Sequence, residues 1–215
     1  KRSLNSSGYR RINTSTYEML IDIGGIEPEY LPGHSHADSL NFILNWRGEP
    51  LIVDTGISTY ESNDIRSFER STIAHNTISV GGQNSSDVWA SFRVGRRATT
   101  VVTSDTFAGI SAFHTGFNSL GLTHSRTWSF DEASFSIKDE LISTGDIHTG
   151  RMYLHFSYRI DPIIENKKIV LPGVIITFSS ENEIDIIKKQ YDQAIEFNVV
   201  EKSEVVIVHF TGMVL

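Results

Sequence analysis

The sequence predicts an all-β chain, a large antiparallel β-sandwich, on three observations. Short runs rich in Ile, Val, Phe, Thr and Tyr recur along its length, Gly, Asp, Asn or Ser bounds each of them, and helix signals between them are weak. Repeated turn signals of this kind suit two packed antiparallel sheets. With 215 residues the chain is long enough for one sizeable core, and sandwiches of that size commonly form a single domain. Residues 1–215 therefore read as one domain, without internal repeat, low-complexity tract or linker.

In chain order the strand-like runs are 17–23, 40–46, 51–53, 77–80, 99–102, 108–113, 125–130, 134–137, 152–156, 174–178 and 205–210. Arg47-Gly48-Glu49-Pro50 is a turn between two of them, with Gly48 free to take a positive φ. Residues 184–193 read as one or two turns of helix, although their apolar spacing is ambiguous. Trp46 and Trp128 fall in strand-like runs and are expected in the core.

Apolar content of 39% and charged content of 21% are ordinary for a globular protein. A net charge of -7 argues against a nucleic-acid surface, which needs clustered Lys and Arg. It leaves room for an acidic polysaccharide opposite a local arginine patch. The absence of cysteine excludes disulfides and zinc–thiolate sites without fixing the compartment. No apolar run approaches the ~18–20 residues of a membrane helix, so no membrane insertion is expected. The chain begins Lys1-Arg2-Ser3 and shows no signal peptide, so the expectation is a piece of a longer protein.

Chemistry concentrates in Gly33-His34-Ser35-His36-Ala37-Asp38, Val53-Asp54-Thr55-Gly56 and Ala74-His75-Asn76-Thr77. Imidazole with carboxylate suits zinc and similar divalent ions, and the same groups serve general acid–base catalysis near neutral pH. If residues 34–38 are extended, His34, His36 and Asp38 share a face, either as one ligand set or divided between a metal and a cleft. Asp38 equally suits a loop cap. His114, His124, His148, His155 and His209 lack such neighbours and read as structural.

Those blocks, with Gly48-Glu49-Pro50-Leu51-Ile52, Tyr60 and Arg66-Ser67-Phe68-Glu69-Arg70-Ser71-Thr72-Ile73, resemble the heparinase II/III-like family of polysaccharide lyases. The resemblance is strongest over 7–92, including Gln83, with weaker echoes at Thr123-His124-Ser125-Arg126 and Tyr153-Leu154-His155-Phe156. It implies a C-terminal β-sandwich that in the full protein partners an N-terminal α-helical toroid, a part this chain does not resemble. It further implies a divalent metal, zinc, held by His36, Asp54 and His75, with Asp38 and Asn76 orienting the imidazoles. His34 and Tyr60 would face the cleft as catalytic groups, while the family's principal tyrosine and the Asn or His that neutralises the uronate lie in the helical part. The implied reaction is β-elimination on a uronic-acid-containing polysaccharide, in the periplasm, the envelope or the medium of a bacterium, the fragment alone being inactive.

Arg66 and Arg70, with Arg93, Arg96 and Arg97, form a basic strip suited either to anionic sugar or to Glu61, Asp64 and Glu69; substrate contact is assigned to Arg66 and Arg70. Trp89 and Phe92 suit packing more than sugar stacking. Two other readings stand beside the lyase: a non-catalytic carbohydrate-binding module whose metal stabilises loops, and a metal-assisted hydrolase.

Overall fold

The computed structural model describes residues 2–4, 7–26, 28, 30–143 and 148–212. The first sheet runs in chain order through β1 (Arg2–Leu4), β2 (Tyr9–Asn13), β3 (Tyr17–Asp22), β4 (Phe42–Trp46) and β5 (Glu49–Ile52), all antiparallel. Alternation sets its buried face: Tyr17, Met19 and Ile21 of β3 meet Phe42 and Leu44 of β4. Arg47 and Gly48, both at positive φ (52° and 86°), close a two-residue hairpin between Trp46 and Glu49. Pro50 therefore lies within β5, an outer strand of this sheet where a missing N–H is tolerated.

After β5 come the short helix α1 (Asp64–Glu69) and a 3-10 turn at Thr72–Ala74, which lead into β6 (Ile78–Val80). The Asn63 side chain caps α1 by accepting from the Arg66 N–H. A small hairpin follows, β7 (Val88–Trp89) with β8 (Arg93–Val94). The second sheet is β9 (Thr100–Asp105), β10 (Gly109–His114), β11 (Leu122–Phe130) and β12 (Phe135–Ser143), again in chain order. The buried face of β11 carries Leu122, His124, Arg126 and Trp128, two apolar and two polar side chains.

Next come β13 (His148–His155) and a three-stranded sheet of β14 (Ile163–Glu165), β15 (Lys168–Leu171) and β16 (Val174–Thr177). A long hairpin, β17 (Ile184–Glu196) and β18 (Val199–Gly212), ends the fold, and its sheet order is β17-β18-β13-β6. The helical reading of 184–193 is thus corrected: the segment is strand. Its ten residues pair with β18 from Ile184↔Phe210 to Gln193↔Glu201, and with only Tyr191 and Gln193 buried a period of two has little to register on.

One main core gathers β2, β3, β4 and β5 of the first sheet, Ile110, Ala112 and Trp128 of the second, and Leu154, Leu171 and Val206 beyond. Trp128 is fully buried and Trp46 packs half-buried at the edge, as the strand pattern predicts. The all-β antiparallel expectation holds. Among the described residues no helix is long and apolar enough to cross a membrane.

Candidate functional site

Residues 33–41 form a loop with no strand, so His34, His36 and Asp38 do not line one strand face. Buried arginines shape this loop. Arg70 donates from Nε and Nη2 to the Ser35 carbonyl (3.2 and 3.0 Å) and from Nη1 to that of Trp89 (3.2 Å). Arg126 donates from Nη1 to the carbonyls of Leu40 (2.9 Å) and Asn76 (2.7 Å). Leu40 sits in the left-handed region at φ 62°, and Thr72 Oγ1 holds the Ala37 carbonyl at 2.7 Å.

Within this frame the two histidines part company. His36 turns inward, its ring 5.3 Å from that of His75, and both are buried. His34 stays exposed and meets Tyr60 edge-on at 5.8 Å and Phe92 at 6.1 Å. Tyr60 lies 5.2 Å under the Arg66 guanidinium, which is itself fully buried, 3.4 Å from His36 Nε2, with its Nη2 unbonded.

Asp54 and His75 touch. Asp54 Oδ2 lies 2.7 Å from His75 Nδ1 and accepts from Asn41 Nδ2 at 2.9 Å, while Oδ1 accepts from the Gly56 N–H at 3.1 Å. Asn41 reciprocates through its Oδ1, which accepts from the Asn76 N–H at 2.8 Å. The Asn76 side chain is a hub: it donates to the Phe42 and Val53 carbonyls and accepts from the His155 N–H, all at 2.8 Å. Asp22 and Asp38 stand near enough to act on the same charges.

Electrostatics separate the two buried imidazoles. Burial, reinforced by the charge of His75, pushes His36 down to about 3, leaving it neutral at physiological pH. Burial opposes protonation of His75 too, but Asp54, Asp38 and Asp22 outweigh it and raise its pKa. Burial alone would raise Asp54, yet His75 and the Gly56 N–H hold it well below the usual carboxylate range. Asp22 is pushed up to about 7 by burial and the charge of Asp38.

The donor set fits a divalent ion in kind. Two imidazoles and a carboxylate suit zinc. The surrounding carboxylates favour a cation, His36 is in its neutral ligating form, and His75 Nε2 is buried without a hydrogen-bond partner. Among the described residues, no three His, Asp or Glu side chains converge as a ready metal cage. Asp54 instead spends Oδ2 on His75 and Asn41.

The basic strip expected of the arginines is divided: Arg93 is exposed, Arg96 and Arg97 are half-buried, and the two assigned to substrate lie inside. Arg66 and Arg70 are buried, and Arg70 spends each guanidinium nitrogen on a backbone carbonyl. Arg96 likewise turns to the carbonyls of Ser85, Asn84 and Gly116 and to Asp87. Trp89 and Phe92 are exposed. Sequence reasoning missed Asn41 and Asp22; adjacency of Asn41 to the histidine block was the one available signal for it. His114, His124 and Asp139 form a buried relay, with His114 Nε2 3.0 Å from His124 Nδ1 and His124 Nε2 2.7 Å from Asp139 Oδ1. Arg126 completes it on Asp139 at 2.6 and 2.9 Å.

The family model described as "Heparinase II/III-like, C-terminal" matches residues 1–212. No curated protein matches by sequence. Among solved structures the chain is similar to a mutant of the heparan sulfate lyase HepC from Pedobacter heparinus, with TM-score 0.81 and 14% identity over 99% of this chain and 34% of that one. It is also similar to a heparinase III, with TM-score 0.73 and 16% identity over 97% of this chain and 34% of that one. The chain thus spans about a third of the length of these relatives.

Proposed function

Because the chain belongs to the heparinase II/III-like, C-terminal family, we propose that it is the β-sandwich part of a polysaccharide lyase that cleaves a uronic-acid-containing glycan by β-elimination. The observation that carries the reading is the exposed His34 in edge contact with Tyr60, linked through Arg66 to buried His36 and so to His75 and Asp54. Elimination removes the C5 proton of the uronate and breaks the bond to the 4-oxygen. It needs a base, an acid and a counter-charge for the carboxylate. His34 and the Tyr60 hydroxyl supply proton-transfer groups on one wall, and the other wall belongs to a helical domain of the parent protein.

His36, Asp54 and His75 would hold zinc, which when bound supplies a fixed positive charge that locks the loops. Asn41 orients Asp54 and Asn76 orients the segment after His75. Arg66, fully buried against the Tyr60 ring with Nε on the Ser91 carbonyl and Nη1 3.4 Å from His36 Nε2, supplies positive charge behind the cleft wall, and Arg70 is committed to loop carbonyls. Heparan sulfate, on which one structural relative acts, is the first glycan to test, and the proposed setting is the periplasm, the envelope or the medium.

The test is incubation of the parent protein with uronate polysaccharides, following the ultraviolet absorbance of the unsaturated sugar. The expected result is a rise with one substrate, reduced on the order of 10²–10⁴-fold by His34→Ala. Undiminished turnover in His34→Ala removes the role given to that residue. Glycan binding without cleavage moves the assignment to a non-catalytic module.

A further inference from the structure

Tyr60, whose hydroxyl serves the elimination, is the centre of an exposed aromatic group whose other two rings that chemistry leaves unused. Phe92 stacks against it at 5.8 Å with 23° between the ring planes, and Phe197 approaches at 5.5 Å and 31°. Relative exposures are 40% for Tyr60, 46% for Phe92 and 55% for Phe197. Adjoining apolar rings left this open and rimmed by polar groups form a candidate ligand surface.

The rings come from distant segments and each is pinned. Phe197 stands at the turn between β17 and β18, where Asn198 takes φ 62°. The Asn198 N–H donates to the Ser58 carbonyl at 3.0 Å and the Ala194 N–H to the Thr55 carbonyl at 2.8 Å. Ser58 is fixed in turn by Glu69, which accepts from its N–H at 2.7 Å and from its hydroxyl. Phe92 follows Ala90 and Ser91, two non-glycine residues at positive φ (44° and 62°), backbone cost that a functional loop can carry.

We propose that Phe92 and Phe197 extend Tyr60 into an aromatic platform that receives a pyranose ring of the glycan beside His34; the proposal rests on the lyase reading above. A pyranose offers a C–H face that stacks on flat rings, and hydroxyl and carboxylate edges that meet an imidazole. His34 stands at that edge, exposed and edge-on to Tyr60 at 5.8 Å. The Tyr60 and Phe92 planes lie within 23° of parallel, and Phe197 tilts 31° from Tyr60.

The test uses the parent protein with Phe197→Ala, Phe197→Leu and Phe197→Trp. Leu keeps apolar volume for packing against another domain but has no flat face; Trp keeps the face. Binding of heparan sulfate and alginate octasaccharides is measured calorimetrically in a His34→Ala background, and turnover in the otherwise unsubstituted parent. Ala and Leu are expected to weaken binding and raise KM about tenfold, with kcat little changed, and Trp to restore both. Wild-type binding and KM in Ala and Leu overturn the platform while the unsaturated product still upholds the lyase. A lowered melting temperature in Ala with unchanged binding assigns the patch to domain packing and also overturns it. Failure of the His34→Ala parent to bind either probe, with no unsaturated product from the unsubstituted parent on any uronate glycan, overturns the lyase reading and the platform together.

Discussion

His75 Nδ1 and Asp54 Oδ2 lie 2.7 Å apart, joining the segment after β5 to the 3-10 turn before β6. The contact leaves His75 Nε2 buried and unbonded, and buried polar groups seldom stay so. A bound cation would resolve that, and would sit among carboxylates that already favour positive charge.

Metal-free protein titrated with zinc is therefore expected to gain thermal stability. At a hundredfold excess over Kd the gain is about 2.7 kcal/mol, or roughly 5–10 °C in Tm for a chain of this size. His75→Ala removes the gain and Asn41→Ala, which frees Asp54, reduces it. Elemental analysis showing no retained ion, with no shift on titration, disproves the metal assignment.

Stability should fall with acid from an early point. Burial, aided by the charge of His75, pushes His155 down to about 3, against about 6.5 in the unfolded chain. Between those values the unfolded state binds the extra proton, so the stabilisation is complete above pH ~6.5 and is lost as pH falls toward 3. The slope is up to about 1.4 kcal/mol per pH unit. Urea unfolding at pH 7, 6 and 5 in a chelator reads it, and His155→Gln is expected to flatten the dependence; an identical slope in that variant refutes the attribution.

Asp139 is the counter-charge of the fully buried Arg126. Burial opposes its ionisation, but Arg126 and His124 hold its pKa below the ordinary carboxylate value. Its contribution is present above pH ~3.9 and lost as pH falls below that. Asp139→Asn strands the guanidinium and is expected to cost about 3–5 kcal/mol at pH 7 by urea denaturation, a difference that shrinks in acid. A cost below about 1 kcal/mol at pH 7 would show that the carbonyls of Leu40 and Asn76 satisfy Arg126 unaided.

Gly56 takes φ 77°, and a Cβ there would stand 2.6 Å from the Ala194 carbonyl oxygen. Gly56→Ala should lose roughly 1–3 kcal/mol from the backbone conformation, plus the clash that lifts β17 from the Thr55–Ser58 segment. Hydrogen exchange at the Ala194 and Asn198 amides would rise accordingly. Protection equal to that of the unsubstituted protein contradicts the clamp.

Much of the fold could be read from residue order. Every second side chain is buried throughout β3, from Phe42 to Leu44 in β4 and from Leu122 to Trp128 in β11, so the period of two is visible in the letters. In β17 most side chains are exposed, and only pairing with β18 defines it. The histidine–aspartate set was conspicuous as a motif, but the separate fates of His34 and His36 depend on arginines 70 and 126, one of them far down the chain. Arg70 looked like a sugar ligand because a sequence does not say whether a guanidinium meets carboxylates or backbone carbonyls. Loop 33–41 has carbonyls with no ladder partner, and buried donors must come from somewhere.

The pairing of β13 with both β6 and β18 has a kinetic consequence. The Tyr153 N–H bonds the Thr77 carbonyl and the His155 N–H bonds Asn76, so β13 props up the segment that carries His75. That prop is itself half-laddered until residues 199–212 have been synthesised. Contacts so distant in sequence close slowly, which places completion of the histidine–aspartate cluster among the last events of folding. A nascent chain halted in β17 would carry every one of these side chains without yet assembling them.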